Sequence, residues 1–197
     1  MARSPLELTP KRTEIADAAL RIIGERGIAA LTTNALAQEL GVSSGAPFRH
    51  FADRSEILEA VALRVEELIL ETFPPDTDPP LQRLLALLRA RAQVIGGRQG
   101  IGRLMLSEQF AMALPDPAAR RLRGLVTRTR AFLLAALEAA QAQGAIRSDL
   151  TSKALLPVVF GVLMNLVFSQ ATGGARSAEA DEACDTLLVL LGPPPVP

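Results

Sequence analysis

The stretch Leu31–Leu58, LTTNALAQELGVSSGAPFRHFADRSEIL, is where residue types and spacing could do chemistry. That chemistry is recognition. Hydroxyls and helix N-termini suit phosphate oxygens, an Asn side chain can bridge adenine, and an Arg can bridge guanine in a major groove. Bond-making chemistry has no comparable support. The chain has one His, one Cys, no Tyr and no Trp. It shows no paired carboxylates at a useful spacing and no phosphate-cradling Gly loop, so it does not read as an enzyme and implies no cofactor or metal.

The elements that must position these residues are legible in the same stretch. Leu36 and Leu40 lie four apart on one helical face, and Ala37 is small enough to let a neighbouring helix approach. Gly41 can take the positive φ of a tight turn, and Val42 is expected to plug the corner after it. Ser43 or Ser44 can cap a second short helix, with Pro47 inside its first turn and Phe48 and Phe51 as bulk. Asp53-Arg54-Ser55-Glu56 has the form of a capping box opening a longer helix. Short helix, turn, short helix is the arrangement that lays a recognition helix in the DNA major groove.

These residues resemble the DNA-binding domain of TetR-type transcriptional regulators. The match is carried by Arg26-Gly27, Leu31-Thr32-Thr33, Leu36-Ala37, Gly41-Val42-Ser43, Phe48, His50-Phe51 and Arg54, and it covers roughly residues 10–60. The departures are Phe48, where the family usually has Tyr, and Arg54 in place of the commoner Lys. Carried over residue by residue, the resemblance implies base-facing roles for Asn34, Ser44, Gly45, Ala46 and Arg49. It implies phosphate-facing roles for Thr32, Thr33, Phe48, His50 and Arg54, with Ser43 at the turn. It also implies a homodimer, a small-molecule effector and a palindromic double-stranded operator.

Composition fits that reading in part. At 197 residues the chain can bury a core without disulfides, and its periodic Ala, Leu, Arg, Glu and Gln stretches read as all-α. The single Cys184 suits a reducing cytoplasm, and the N-terminus has no signal-peptide pattern. The uncharged run 154–175 contains Pro157, Gly161 and Asn165, and its apolar part is shorter than the roughly 20 residues a spanning helix needs. It reads as a core or interface helix with no membrane partner. Net charge is zero, and residues 1–54 hold seven bases against six acids, so DNA binding must rest on the placement of a few charges.

About nine helices are expected. They fall at 10–26, 33–40, 44–50, 54–72, 81–95, 101–113, 116–143, from 149 or 151 to 171, and from 177 to the prolines at 193–195. A flexible arm is expected at 1–8, and chain breaks at Gly96-Gly97 and Gly173-Gly174. The division is an N-terminal three-helix DNA-binding domain, 1–55, and a C-terminal helical bundle for effector binding and dimerisation, 56–197.

In the second domain, Leu88, Met105, Phe110, Phe132, Phe160 and Met164 are either plain core or the lining of a largely apolar effector pocket. Phe168 and Met112 share that pattern. Gln109 and Asn165 are the informative members, because a buried amide needs a partner. Leu163, Val167, Leu187 and Leu191 are expected at the dimer interface. Residues 81–130 hold ten Arg and two acids. That excess reads as a solvated face, as pairing with the acidic helix that carries Glu179, Asp181, Glu182 and Asp185, or as an anion site. Cys184 lies among those acids, which argues against a reactive thiol. The function expected is a sequence-specific, ligand-released repressor. The alternative is a helical adaptor that no longer binds DNA.

Overall fold

The structure, a computed structural model, describes residues 8–96, 99–171 and 177–192. Within them the chain forms nine α-helices, two 3-10 helices and no strand. The helices are α1 Pro10–Arg26, α2 Thr33–Leu40, α3 Arg54–Leu70, α4 Pro80–Gly96, α5 Gln99–Leu106, α6 Glu108–Ala113, α7 Asp116–Ala142, α8 Ser152–Ala171 and α9 Ser177–Leu191. The 3-10 helices are Ile28–Ala30 and Pro47–Arg49. The expected arm, the break at Gly97, the break at Gly173-Gly174 and the prolines 193–195 lie outside the described residues, as does the Phe168 side chain.

The chain divides into two compact units. One comprises Met1–Leu68 with Arg98–Arg123, the other Ile69–Gly97 with Gly124–Pro197. This spatial partition differs from the functional one drawn between residues 55 and 56, because two helices, α3 and α7, run through its boundaries.

In the first unit α1 packs against α5, α2 and the first 3-10 turn. Thr9 opens α1 by accepting the Arg12 N–H, and Pro10 follows where its missing donor costs nothing. Ile15, Ala19, Ile22 and Ile23 are buried along one face, and Gly27 closes the helix at φ 80°. In the second unit α4 packs on α8 and α9. Leu84, Leu88 and Ile95 of α4 are buried there, as are Leu163, Val167, Leu187 and Leu191. A side-chain latch fixes the α7–α8 connection: Gln141 Nε2 donates to the carbonyls of Arg147 and Leu150 at 2.8 and 2.7 Å, and its Oε1 accepts from the Ser152 hydroxyl.

Two expected helices come out differently. Residues 44–50 are not an α-helix. A helix capped at Ser43 would make its first backbone bond from residue 47, and Pro47 has no N–H to give. The Ser43 carbonyl accepts from Ala46 N instead, at 2.9 Å, and the chain continues as the 3-10 turn Pro47–Arg49. The expected helix 101–113 is broken at Ser107, whose backbone is extended and whose hydroxyl accepts from Phe110 N at 3.1 Å. The serine caps a new helix rather than continuing the old one.

Candidate nucleic-acid interface

The interface is built on three local devices. Thr32 is the N-cap of α2: its backbone is extended and its Oγ1 accepts from Ala35 N at 3.2 Å. That leaves Thr33 and Asn34 exposed in the first turn, at the helix end whose free N–H groups and dipole favour anions. Gly41 ends α2 at φ 64°, ψ 33°, a left-handed conformation that a side chain would strain. The bond from Val42 N to Ala37 O, 3.0 Å, completes the turn. Asp53 caps α3 by accepting from Glu56 N at 2.9 Å, and Glu56 reaches back to the Ala52 N–H at 2.6 Å.

Between these devices, Ser43, Ser44, Gly45, Phe48, Arg49 and His50 are exposed, and Ala46 is half-buried. Pro47 and Phe51 point inward and hold the segment down. The Arg12 guanidinium covers the Phe51 ring at 4.5 Å and pairs with Glu56 at 2.7 Å, tying α1 and α3 to the turn. Val42 is exposed and does not plug the corner as expected, whereas Pro47 and Phe51 are buried.

Four residues expected to face phosphates, Thr32, Thr33, Phe48 and Arg54, line one groove of about 350 Å³ together with Ala29, Leu31, Leu36 and Ile57. His50 and the expected base-facing residues are not among its lining residues. Arg54 is fixed at the groove by a bond from its Nη2 to the carbonyl of Ile28, 2.7 Å.

Charge pairing resolves the neutrality of this region. Lys11 pairs with Glu14 at 2.7 Å, Arg12 with Glu56, and Arg21 and Arg26 with Glu39 at 2.8 and 3.9 Å. Among the described residues, Arg49 and Arg54 make no carboxylate pair. The acids therefore neutralise the helix flanks and leave the positive groups at the turn.

The C-terminal expectations fare unevenly. Gln109 and Asn165 are exposed, so the argument from buried amides fails for both. Met105, Gln109 and Phe110 belong to the first unit, whereas Leu88, Phe132, Phe160, Met164 and Asn165 belong to the second. Leu88 and Phe110 are fully buried, and Met105, Phe132, Phe160 and Met164 are half-buried. Met112, by contrast, is exposed.

Leu163, Val167, Leu187 and Leu191 are interior residues of the protomer, none more than 4 % exposed, and of the four only Leu187 also lines an open groove on the outer face. The helical period turns them toward the protomer core and leaves Val158, Gly161, Asn165, Thr186, Val189 and Leu190 outward. An open groove of about 510 Å³ runs along that outward face, lined by Gly161, Asn165, Glu182, Thr186 and Leu190 among others.

The arginine excess has more than one use. Arg89 pairs with Asp181 at 2.7 Å and lies 3.8 Å from Asp185, as the acidic-helix reading expects. Arg91 is buried, a fact the composition did not single out. Burial pushes the Cys184 thiol up, against a smaller opposing pull from Arg89. Among the described residues no three His, Cys, Asp or Glu side chains gather as a metal ion would require. No described helix is long and apolar enough to cross a membrane.

Comparison with known proteins agrees with this geometry. Residues 15–61 match the family model described as bacterial regulatory proteins, tetR family. The HTH-type transcriptional regulator UidR of Escherichia coli strain K12 is 26% identical over 170 residues, covering 81% of this chain and 83% of that one. Among solved structures, the TetR family regulator PfmR from Thermus thermophilus superposes with a TM-score of 0.74 at 22% identity, covering 93% of this chain and 96% of PfmR. AibR, solved in complex with isovaleryl coenzyme A and operator DNA, gives 0.70 at 18% identity, covering 91% and 97%. A capped α2, a glycine turn, an exposed turn segment and a helical second unit thus coincide with these matches: residues 15–61 match the bacterial regulatory proteins of the tetR family, and over most of its length the chain is similar to a DNA-binding transcriptional regulator.

Proposed function

We propose that this regulator is a cytoplasmic homodimeric repressor that occupies a palindromic double-stranded operator and is released by a small-molecule effector. Residues 1–55 carry DNA recognition, and 56–197 carry effector binding and dimerisation. Asn34, Ser44, Gly45, Ala46 and Arg49 face base edges. Thr32, Thr33, Phe48, His50 and Arg54 face phosphates, with Ser43 at the turn. The observation that supports this most is the charge arrangement: every described cation of α1 that could compete is paired with an acid, while Arg54 is exposed in the groove at the cap of α2 and Arg49 is exposed on the turn, neither paired with a carboxylate.

Dimerisation uses the outward face of α8 and α9, where Val158, Val189 and Leu190 are exposed. The effector is held in part by apolar side chains such as Leu88, Phe132, Phe160 and Met164. The solved AibR complex holds both an acyl coenzyme A and operator DNA on a similar fold, which supports a two-ligand reading here. Two half-sites lie about one helical turn apart, roughly 34–36 Å, so a small change in the spacing of the two reading segments abolishes simultaneous engagement.

Footprinting on DNA flanking the protein's own gene tests this. A symmetric footprint is expected, and a single unsymmetrical half-site bound by monomer would overturn the reading. Arg49→Ala should cost about 1–3 kcal/mol and relax specificity at one base pair per half-site. An equal loss on all sequences would reassign Arg49 to a phosphate.

A further inference from the structure

We infer that the second unit holds an oxyanion site at Arg91, taking an effector with a carboxylate or phosphoryl head on an apolar body. The inference rests on the effector-binding reading above and names that effector's chemistry.

Arg91 lies on α4 and is 5 % exposed. Its Nε donates to the Thr72 hydroxyl at 2.9 Å, while its Nη2 is buried without a hydrogen-bond partner. Its neighbours on the same helix behave differently: Arg83 pairs with Asp76, and Arg89 with Asp181 and Asp185. Arg91 alone of the three has a neutral oxygen where a carboxylate would serve. Burial draws its pKa down to about 10, with no acid acting against that effect. A guanidinium nevertheless stays protonated at neutral pH, so an unneutralised charge is held inside the unit. Thr72 accepts one hydrogen bond from it and donates its own proton to the Ile69 carbonyl at 2.6 Å, but a neutral hydroxyl brings no negative charge.

The surroundings add to the positive charge. The Arg91 guanidinium lies 5.5 Å from the centre of the Phe73 ring, and the exposed Arg128 lies over the same ring at 5.5 Å. Phe73 meets Phe132 edge to face at 5.3 Å, and Arg83 sits 5.2 Å over Phe132. Arg83 Nε is also buried without a partner. Three guanidinium groups thus share two rings, and the acid paired with one of them, Asp76, is itself mostly in solvent. An idle donor on a buried cation, Arg91, suits an oxygen anion, since an Arg fork matches both carboxylate and phosphoryl oxygens. The two phenyl rings give the body of such a ligand an apolar wall, and Arg128 supplies a cation from the solvent side.

The test is calorimetric titration of the full-length protein with octanoate, octyl phosphate and the neutral octanamide. At least one of the two anions should bind ten-fold or more tightly than the amide, and which one does identifies the head group. Arg91→Met should abolish that preference, Arg91→Lys should keep part of it, and Arg128→Gln should weaken anion binding several-fold. An amide that binds as tightly as both anions, no binding of either anion, or a preference that survives Arg91→Met would each overturn the site. The acid-against-amide comparison uses unaltered protein, so it holds even if a variant misfolds. Operator footprinting separates the two readings. Operator binding without anion selectivity removes the site and leaves the regulator. Selectivity through Arg91 with an operator complex indifferent to the anion removes effector release and leaves the site.

Discussion

Both compact units pair arginines with carboxylates, but they leave different cations without one. In the first, carboxylates pair Arg12, Arg21, Arg26 and Arg64 along the helix flanks, and two cations stay exposed around the turn. In the second, Arg91 is drawn inside and given only a hydroxyl. Net charge describes neither arrangement. A neutral sum hides exposed unpaired cations around the turn of one unit and an uncompensated interior charge in the other. What matters for binding is which cations the fold leaves unneutralised.

The largest expected effect probes how the second unit tolerates charge. Leu163 is fully buried, and Leu163→Asp introduces a carboxylate with no partner. It should cost at least about 3 kcal/mol of stability and lower the melting temperature sharply. Val189→Asp, on an 81 % exposed residue of the proposed dimer face, should leave the protomer folded and weaken dimerisation instead, as sedimentation would read. If Leu163→Asp instead yields a folded monomer with normal melting, residue 163 lies on an association surface and the comparison breaks.

A smaller effect sharpens the first unit. Phe48 is 38 % exposed and shares its groove with Thr32, Thr33 and Arg54. Phe48→Tyr should place a hydroxyl toward a phosphate and tighten operator binding by about 1 kcal/mol per half-site, with little change in sequence preference. Unchanged affinity with a destabilised fold would show that the ring edge points into the core.

The smallest effect tests the flank pairing itself. Glu39→Gln frees Arg21 and Arg26, and surface pairs of this kind are worth under about 1 kcal/mol to folding. Stability should hardly move, while affinity for arbitrary DNA should rise and fall more steeply with salt. An unchanged salt slope would mean that these cations lie too far from the backbone to count.

Legibility in the sequence followed locality. The capping box at Asp53 and the turn at Gly41 involve partners within four residues, and each formed as the sequence implied. Pro47 misled because it was read as a tolerated first-turn proline, although the Ser43 cap makes its missing N–H the helix's first bond. Ser107 carried a visible capping signal that lay inside a strong apolar period and was overlooked. Leu163 and Leu187 are expected at a dimer interface, and the apolar pattern alone does not say that one chain buries them by itself. Arg91 could have been found. It sits at the spacing Leu84, Leu88, Arg91, Ile95, an arginine on the apolar stripe of α4, whereas composition treated it as one of ten.

The single-turn construction of residues 43–50 sets a timescale. Its bonds, Ala46 to Ser43, Arg49 to Ala46 and His50 to Pro47, each close over three residues and face solvent. Amides held this way exchange with water through brief local openings, whereas those beneath Leu36 and Phe51 wait for the whole unit to unfold. The segment proposed to read DNA can therefore rearrange on successive sequences many times within one lifetime of the scaffold that presents it.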